Sequence, residues 1–290
     1  MSRAYKVVDV FTSTPLRGNP VGVALDAEGL DTETMQAVAA WTNLSETTFL
    51  LPPERPEADY RLRIFTPRSE LPFAGHPTLG SAHAALEAGR VVPRDGRLVQ
   101  ECGVGLVHLS ADGDGANREL SFSVPAATLT PLDGSDIEEL EAILGTAVNR
   151  EAHPTIVDVG AVWIVACVSS VDRLLSLKPD FARSAAFESR VGVTGVTLFA
   201  AKDGAEADIE VRSFASSQGV NEDPVCGSGN GSVAVFRYAH SLLPSGATRY
   251  VATQGRCLGR SGTIAVWVDS DGKVDLGGRC VTTVNGVIAT

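Results

Sequence analysis

The feature that most constrains the fold of this chain is an internal repeat. Three strand-like segments in the first half recur in the second half, each shifted by 149 residues. They are residues 8–10, 48–50 and 62–65, which recur as residues 157–159, 197–199 and 211–214. A constant shift over three separate segments predicts two homologous halves, residues 1–125 and 126–290. The alternative is a chance similarity between β patterns, and the repeat leaves open whether the last residues return to the N-terminal half.

Each half has the pattern of an α+β fold. Residues 60–64 and 209–212 alternate apolar and charged side chains, which predicts half-buried strands. Residues 31–41 begin with an acid and predict a surface helix. Residues 77–88 and 231–243 have few charges and many small or apolar side chains, so each predicts a buried helix with a sheet wrapped around it. Further strands are predicted at residues 21–25, 48–51, 105–110, 163–168, 196–200 and 263–268.

Charge and composition exclude some classes of function. With 24 basic and 35 acidic residues the net charge is −11, and no Lys/Arg-rich run occurs, so no nucleic-acid partner is expected. No apolar segment is long enough to cross a membrane, and the N-terminus lacks the apolar core of a signal peptide. The five cysteines form no CxxC pair, which favours a reduced, cytoplasmic protein without a structural zinc site.

The loops before the two buried helices are rich in small residues, at 75–77 and 227–229. The first N–H groups of a helix have no partner within the helix, and they lie at the positive end of its dipole. Two such helix termini facing each other across a cleft would bind a carboxylate and stabilise negative charge beside it. A small carboxylate is therefore a suitable partner even for a chain with a net charge of −11.

Titratable or nucleophilic side chains cluster around these loops and at one further position, where a helix is expected to end and a strand to begin. Taken singly, a histidine of this kind is more often structural, and a glutamate at a strand edge is more often solvated. Their residue types alone therefore do not assign a reaction. These residues are Glu46, His76, Glu222, Asp223, Cys226 and Ser228.

Short motifs follow one another in a fixed order along nearly the whole chain. They are residues 18–20, 43–49, 65–67, 70–78, 222–224 with 227–229, and 254–255 with 259–260. In this order the motifs resemble the PhzF-like family, the phenazine-biosynthesis isomerases within the diaminopimelate epimerase-like superfamily. The fold of that family is α+β, with two pseudo-symmetric lobes that are each a β-sheet or barrel wrapped around a central helix. The repeat and the buried helices predict the same architecture.

The resemblance implies a cofactor-independent isomerase that moves a proton on a small carboxylate, in the best-known case a dihydro-hydroxyanthranilate. It implies no metal and no organic cofactor, and a homodimer as the usual assembly. Glu46 would be the acid/base, with His76 and Asp223 as further catalytic residues. Burial raises the pKa of a glutamate, which suits this role. The substrate-binding residues would be Gly75, Cys226, Gly227, Ser228 and Gly229.

Cys226 departs from the family pattern, because many members have threonine there. Epimerases of the superfamily have a cysteine at each of two equivalent positions, and the second position in this chain is Ala74. We expect Cys226 to lie at the N-terminus of the second buried helix and to fill space beside the carboxylate site. One alternative is an amino-acid epimerase or racemase that uses Cys226 with Glu46 or Asp223. Another is a binding protein that has kept the fold without the reaction.

Overall fold

The computed structural model describes residues 2–204 and 208–290, and the chain divides into two compact units. Unit 1 is the chain up to Ser123 together with Gly277–Thr290, and unit 2 is Val124–Leu276. The division predicted from the repeat lay between residues 125 and 126. The repeat did not determine to which half the last residues belong. In the structure, the residues from Gly277 onward belong to unit 1.

Both units mix strands and helices. Among the described residues the strands are β1 (Ser2–Val10), β2 (Asn19–Ala24), β3 (Glu46–Leu51), β4 (Tyr60–Phe65), β5 (Glu70–Leu71), β6 (Arg97–Cys102), β7 (Gly105–Asp112), β8 (Glu119–Ser123), β9 (Thr128–Pro131), β10 (Thr155–Asp158), β11 (Val162–Cys167), β12 (Gly195–Ala201), β13 (Ile209–Ala215), β14 (Val220–Asp223), β15 (Thr248–Gln254), β16 (Gly262–Val268) and β17 (Val274–Ala289). The α-helices are α1 (Thr32–Thr42), α2 (Gly75–Glu87), α3 (Gly134–Leu144), α4 (Val171–Ser176), α5 (Phe181–Val191) and α6 (Gly227–Ala239). Within residues 2–204 and 208–290, no helix combines the length and the apolar character that a transmembrane span requires.

The strands of unit 1 form a closed ring. β1 pairs with β17 and β2, β2 runs parallel to β3, β3 pairs with β4, and β4 runs parallel to β6. β6, β7 and β8 follow as an antiparallel set, and β8 pairs with β17, which closes the ring. The short strand β5 pairs with the end of β4. The chain continues from β5 over a short connection into α2.

α2 packs against the strands of this ring as a buried helix. Every residue from His76 to Ala85 is buried, and the helix contacts β1, β2, β3 and β8. Gly80 allows the close approach, because a Cβ at this position would lie 2.3 Å from Val21 Cγ1 and 2.9 Å from Val10 Cγ2. This packing offsets the cost of a glycine inside a helix, which is about 1 kcal/mol. The prediction of a buried helix is confirmed, with its start two residues earlier than expected.

Unit 2 repeats the pairing order of the strands and has two further helices, α3 and α4. β10 pairs with β9 and β11, β11 runs parallel to β12, and β12 pairs with β13. β13 then runs parallel to β15, which pairs with β16. The buried helix α6 contacts β10, β11, β12 and β16. The predicted α+β fold, with a sheet wrapped around a central helix in each half, is confirmed.

The sequence prediction was wrong about the start of α6. The pattern predicts a glycine loop followed by a helix from residue 231, whereas α6 begins at Gly227. Its first turn is closely packed: a Cβ at Gly229 would lie 2.8 Å from Ser213 Oγ, and one at Gly231 would lie 3.2 Å from Val124 Cγ2. The space available therefore favours glycine at these positions, and the packing offsets the low helix propensity of glycine.

The connection between the second and third strands of each unit differs in length. In unit 1, residues 25–31 join β2 to α1, whereas in unit 2 residues 168–180 join β11 to α5 and contain α4. α4 packs on β12 and β13, and its Leu174 belongs to the apolar core of unit 2 together with Phe187 and Phe214. α4 therefore covers strands that are adjacent to the candidate site residues of this unit.

Candidate active site

Glu46 is the first residue of β3 and follows the loop after α1. α1 ends at Thr42, and Asn43 takes a left-handed conformation with φ 52°, in which its N–H donates to the Ala39 carbonyl. Such a residue terminates a helix and turns the chain away from its axis. β3 then runs beside β2 with Glu46 opposite Val21. The carboxylate is thus placed where a helix ends and a strand begins, as predicted, and its side chain is 16% exposed.

Glu46 and His76 form a close pair within unit 1. Glu46 Oε2 lies 3.2 Å from His76 Nε2. Burial lowers the pKa of His76 to about 3, and a hydrogen bond to the Pro20 carbonyl opposes this shift only in part. The imidazole is therefore neutral near pH 7, and Asn19 Nδ2 lies 3.5 Å from its Nδ1. A neutral imidazole can donate a hydrogen bond to a carboxylate or accept one from a carboxylic acid.

The N-terminus of α2 presents backbone donors at the same place. Its N-cap is Ala74, which has no side-chain acceptor. Pro77 has no N–H, so Gly75 and His76 carry the N–H groups of this turn that lack an acceptor among the described residues. A Cβ at Gly75 would lie 2.8 Å from the Phe122 ring, so a side chain at the first helical position would require this ring to shift. The helix therefore offers two N–H groups and its positive dipole end to an anion.

Asp223 is the last residue of β14, in unit 2, and it is half-buried. Asp223 lies opposite Ser213 of β13. Its Oδ1 accepts a hydrogen bond from the Val225 N–H at 3.0 Å, and its side chain contacts Cys226. Burial raises the pKa of Asp223 to about 6, although these two contacts lower it. A carboxyl group with this pKa exchanges protons near neutral pH, which suits a general acid or base.

Cys226 is the N-cap of α6, as the sequence analysis predicted. Its Sγ accepts a hydrogen bond from the Gly229 N–H at 3.3 Å and lies 3.6 Å from Ser228 Oγ. The N–H groups of Gly227 and Ser228 have no acceptor in the part of the chain that the structure describes. Two of the three amides in this turn are therefore available to a ligand, and the thiol occupies that of Gly229.

Gln254 holds the loop between Asp223 and Cys226 in place. Its Oε1 accepts hydrogen bonds from the Cys226 N–H at 3.2 Å and from Asn230 Nδ2 at 2.8 Å. Its Nε2 donates to the Asp223 carbonyl at 2.9 Å, and the side chain is fully buried. Because both ends of the amide are bonded, its orientation is fixed. The sequence motifs contained Gln254, but nothing in their spacing indicated this contact.

Trp163 is a residue of this site that the sequence analysis missed. Its Nε1 donates to Ser228 Oγ at 3.0 Å, and its side chain is buried. Trp163 lies opposite Gly195 in the β11–β12 pair, at the register position where Val21 lies opposite Glu46 in unit 1. The 149-residue shift places Gly195 at the position of Glu46, but it does not relate Trp163 to Val21, so the repeat carried no signal for the tryptophan.

The structure brings the predicted residues together within each unit. No group of three or more His, Cys, Asp or Glu side chains suited to a metal ion occurs within residues 2–204 and 208–290. The metal-free reaction expected from the sequence stays a prediction. Unit 1 contains Glu46, Gly75 and His76, and unit 2 contains Asp223, Cys226, Gly227, Ser228 and Gly229.

A family model described as phenazine biosynthesis-like protein matches residues 8–286. The chain is 39% identical over 293 residues to antisense-enhancing sequence 1 of Schizosaccharomyces pombe, covering 98% of this chain and 97% of that protein. It is 34% identical over 285 residues to trans-2,3-dihydro-3-hydroxyanthranilate isomerase of Pseudomonas chlororaphis, covering 98% and 96%. Sequence similarity therefore extends over both units.

Solved structures show the same fold. A PhzF-family phenazine biosynthesis protein of Bacillus anthracis superposes over 100% of both chains with a TM-score of 0.90 at 23% identity. A probable proline racemase of Agrobacterium radiobacter K84 superposes over 99% of this chain and 93% of its own, with a TM-score of 0.66 at 15% identity. At these identities the likeness concerns the fold alone.

Proposed function

The chain belongs to the phenazine biosynthesis-like (PhzF-like) family and is an isomerase, and we propose that it moves a proton between two positions of a small, conjugated carboxylate. The resemblance drawn from the sequence motifs is thereby confirmed. The proposed substrate class is that of the Pseudomonas chlororaphis relative, a dihydro-hydroxyanthranilate or a similar cyclic acid. The proposal includes a role in secondary metabolism, a reaction without metal or organic cofactor, and a homodimeric assembly.

The observation that carries this proposal is the contact between Glu46 and His76 in unit 1. A proton shift along a conjugated system removes a proton from one carbon and returns it to another, so one group must hold the proton in between. Glu46 is that group in the proposal. A neutral imidazole has one N–H and one lone pair, so His76 can bond to a carboxylate or to a carboxylic acid. The low exposure of both side chains limits loss of the proton to water.

The negative charge of the substrate needs stabilisation during this step, because removing a proton adds charge to an acid that is already anionic. The N–H groups of Gly75 and His76 in unit 1, and of Gly227 and Ser228 in unit 2, are the donors that we assign to this task. Asp223, with its pKa raised to about 6, is the second acid/base of the proposal.

The experiment that tests the proposal replaces Glu46 with glutamine. Glu46→Gln keeps the size of the side chain and removes its titratable proton, so turnover should fall by about 10² to 10⁴. The assay follows trans-2,3-dihydro-3-hydroxyanthranilate by absorbance and by deuterium incorporation from solvent. Glu33→Gln on the exposed face of α1 is the matched control, and it should leave turnover unchanged.

The outcomes separate the alternatives. Wild-type turnover in Glu46→Gln, with an unchanged unfolding transition, would contradict the role of Glu46. A wild-type chain that binds the acid without turning it over or exchanging its protons would favour the binding protein over the isomerase.

A second candidate is an epimerase or racemase, and the contact between the Cys226 thiol and Asp223 favours it. Cys226→Thr separates the two functions, because threonine removes the thiol and can still cap α6. An epimerase that uses the thiol should lose about 10² in rate and lose deuterium exchange at the α-carbon of its substrate. An isomerase based on Glu46 should retain most of its turnover.

A further inference from the structure

Arg212 and Glu222 form a buried ion pair directly before Asp223. Arg212 Nε donates to Glu222 Oε1 at 3.0 Å, and Nη2 donates to Oε2 at 2.8 Å, which is the two-bond geometry of a guanidinium and a carboxylate. The two side chains are only 6% and 8% exposed. Glu222 and Asp223 are consecutive residues of β14. A bond that fixes Glu222 therefore limits how far the backbone of Asp223 can move.

Arg212 is itself held by other elements of unit 2. Its Nη1 donates to the carbonyls of Leu174 and Leu177 at 2.9 and 3.0 Å. These carbonyls lie at the C-terminal end of α4, where the Leu174 carbonyl also accepts the Leu177 N–H at 3.4 Å. The guanidinium also lies over the Phe214 ring, 4.9 Å from its centroid. The pair thus joins β14 to β13 and to α4.

We propose that Arg212 and Glu222 are positioning residues that hold the Asp223 carboxyl in the place where it can act as an acid/base. This inference rests on the function proposed above, in which Asp223 takes part in proton transfer. It also gives α4 a role, because α4 supplies the carbonyls that orient Arg212.

The corresponding pair of unit 1 shows which part of this arrangement is special to unit 2. Arg63 and Glu70 are bonded in the same two-bond geometry, at 2.7 and 2.7 Å, but their side chains are 19% and 39% exposed. The residue after Glu70 is Leu71, which cannot titrate. The buried version of the pair therefore occurs in the unit where the next residue carries the acid.

Stability alone is a poor explanation for the buried pair. Removing two charges from water costs nearly as much as their attraction returns, so an apolar pair of similar volume often folds as well. Two parallel bonds between planar groups do, however, fix their mutual geometry. The pair can therefore be replaced in a way that keeps the fold and releases β14.

The test compares two double variants in the whole protein. Arg212→Met with Glu222→Leu removes the buried pair, and Arg183→Met with Glu139→Leu removes an outer pair of the same geometry, with both bonds at 2.6 Å. The first should lower kcat by about 10- to 100-fold, because small displacements of a reacting group are that costly. The control should leave kcat unchanged. Equal kcat values in both double variants and the wild type would overturn the proposal.

A measurement without substrate keeps this test independent of the proposed reaction. The ¹³C shift of the Asp223 carboxyl, assigned by its loss in Asp223→Asn, should titrate at about pH 6 in the wild type. In the buried-pair variant the midpoint should fall by about one pH unit, since the carboxyl becomes more hydrated and loses a neighbouring negative charge. An unchanged midpoint would refute positioning even if the enzyme turned over no tested acid. If the Asp223 midpoint falls as expected in the buried-pair variant but the wild type shows no turnover, the proposed function is refuted and the positioning role is not.

If the buried-pair variant does not fold, the conservative changes Arg212→Lys and Glu222→Gln provide the same readouts. Lysine keeps the charge and loses the two-bond geometry, so kcat should fall while the midpoint of unfolding changes little. Wild-type kcat in Arg212→Lys would count against the proposal.

Discussion

The two units have different side chains at corresponding positions of the same strand and helix arrangement. In unit 1, the first residue of β3 is Glu46, which contacts His76 in the first turn of α2. In unit 2, the corresponding strand residue is Gly195, and the first-turn residue Ser228 is contacted instead by Trp163 of β11. Where unit 1 has a carboxylate beside an imidazole, unit 2 therefore has a hydrogen bond between groups that do not titrate near neutral pH.

The titratable group of unit 2 comes from another strand. Asp223 lies opposite Ser213 in the β13–β14 pair, and the same register position in unit 1 is Leu71 opposite Ile64. The backbone has thus been kept while the acid has changed place. Several strand positions lie near the N-terminus of the buried helix. A single substitution at any of them can therefore place an acidic side chain there without changing the backbone.

The first turns of α2 and α6 differ in a related way. In unit 2, Cys226 Sγ accepts the N–H of Gly229. In unit 1 the N-cap is Ala74, which cannot accept a bond, and the third helical residue is Pro77, which has no N–H to offer. Unit 2 therefore has both a capping side chain and an N–H at the third helical position, whereas unit 1 has neither. Both turns are left with two N–H groups for an anion.

The largest effect on this comparison is expected from Gly195. Gly195→Ala should destabilise the fold by about 3 kcal/mol, because its Cβ would lie 2.1 Å from the Phe214 carbonyl oxygen and 2.8 Å from the Trp163 ring. Urea unfolding measures the change. Gly134→Ala, where no atom lies within 4 Å of the added Cβ, is the control and should not destabilise. If Gly195→Ala destabilised the protein no more than Gly134→Ala, unit 2 would have room for a side chain where unit 1 has Glu46.

The next effect concerns pH, because the buried groups of the two units titrate in opposite senses. Burial lowers the pKa of His76 to about 3, so its contribution to stability is present above its usual pKa of 6.5 and is lost as the pH falls. Between pH 7 and pH 5 this loss is about 2 kcal/mol. Burial raises the pKa of Asp223 to about 6, so its contribution is present below 3.8 and is lost as the pH rises through 6. On acidification from pH 7 to pH 5 it returns about 1 kcal/mol.

Urea unfolding at both pH values separates the two groups. His76→Asn should be less sensitive to acid than the wild type, and Asp223→Asn should be more sensitive. The same acid sensitivity in all three proteins would mean that neither environment perturbs its group.

The smallest effect is expected at the caps. Cys226→Ala should cost about 1 kcal/mol, because the Gly229 N–H loses its acceptor, whereas Cys226→Thr should cost less than about 0.5 kcal/mol. In unit 1, Ala74→Ser should bring little gain, since Pro77 has no N–H at the third position. Unfolding midpoints of the three variants measure this. A stabilisation by Ala74→Ser as large as the loss in Cys226→Ala would contradict the pairing of cap and donor.

Local sequence signals predicted much of this protein. The 149-residue shift indicated the repeated element order, the alternating segments indicated strands, and the small apolar runs indicated the two buried helices. The position of Glu46 at a strand start also followed from neighbouring residues. These features depend on contacts close in the chain, or on periodicity, and both can be read from one sequence.

Only the tertiary structure decided which of these groups meet and how they titrate. The contact of Glu46 with His76 and that of Trp163 with Ser228 join residues far apart in the chain. The pKa values of His76 and Asp223 depend on burial, which many distant residues create together. The close packing at the start of α6 also depends on distant residues, because a Cβ at Gly229 would lie 2.8 Å from Ser213 Oγ of β13. Packing and desolvation are sums over the folded chain, so no short segment of the sequence contains them.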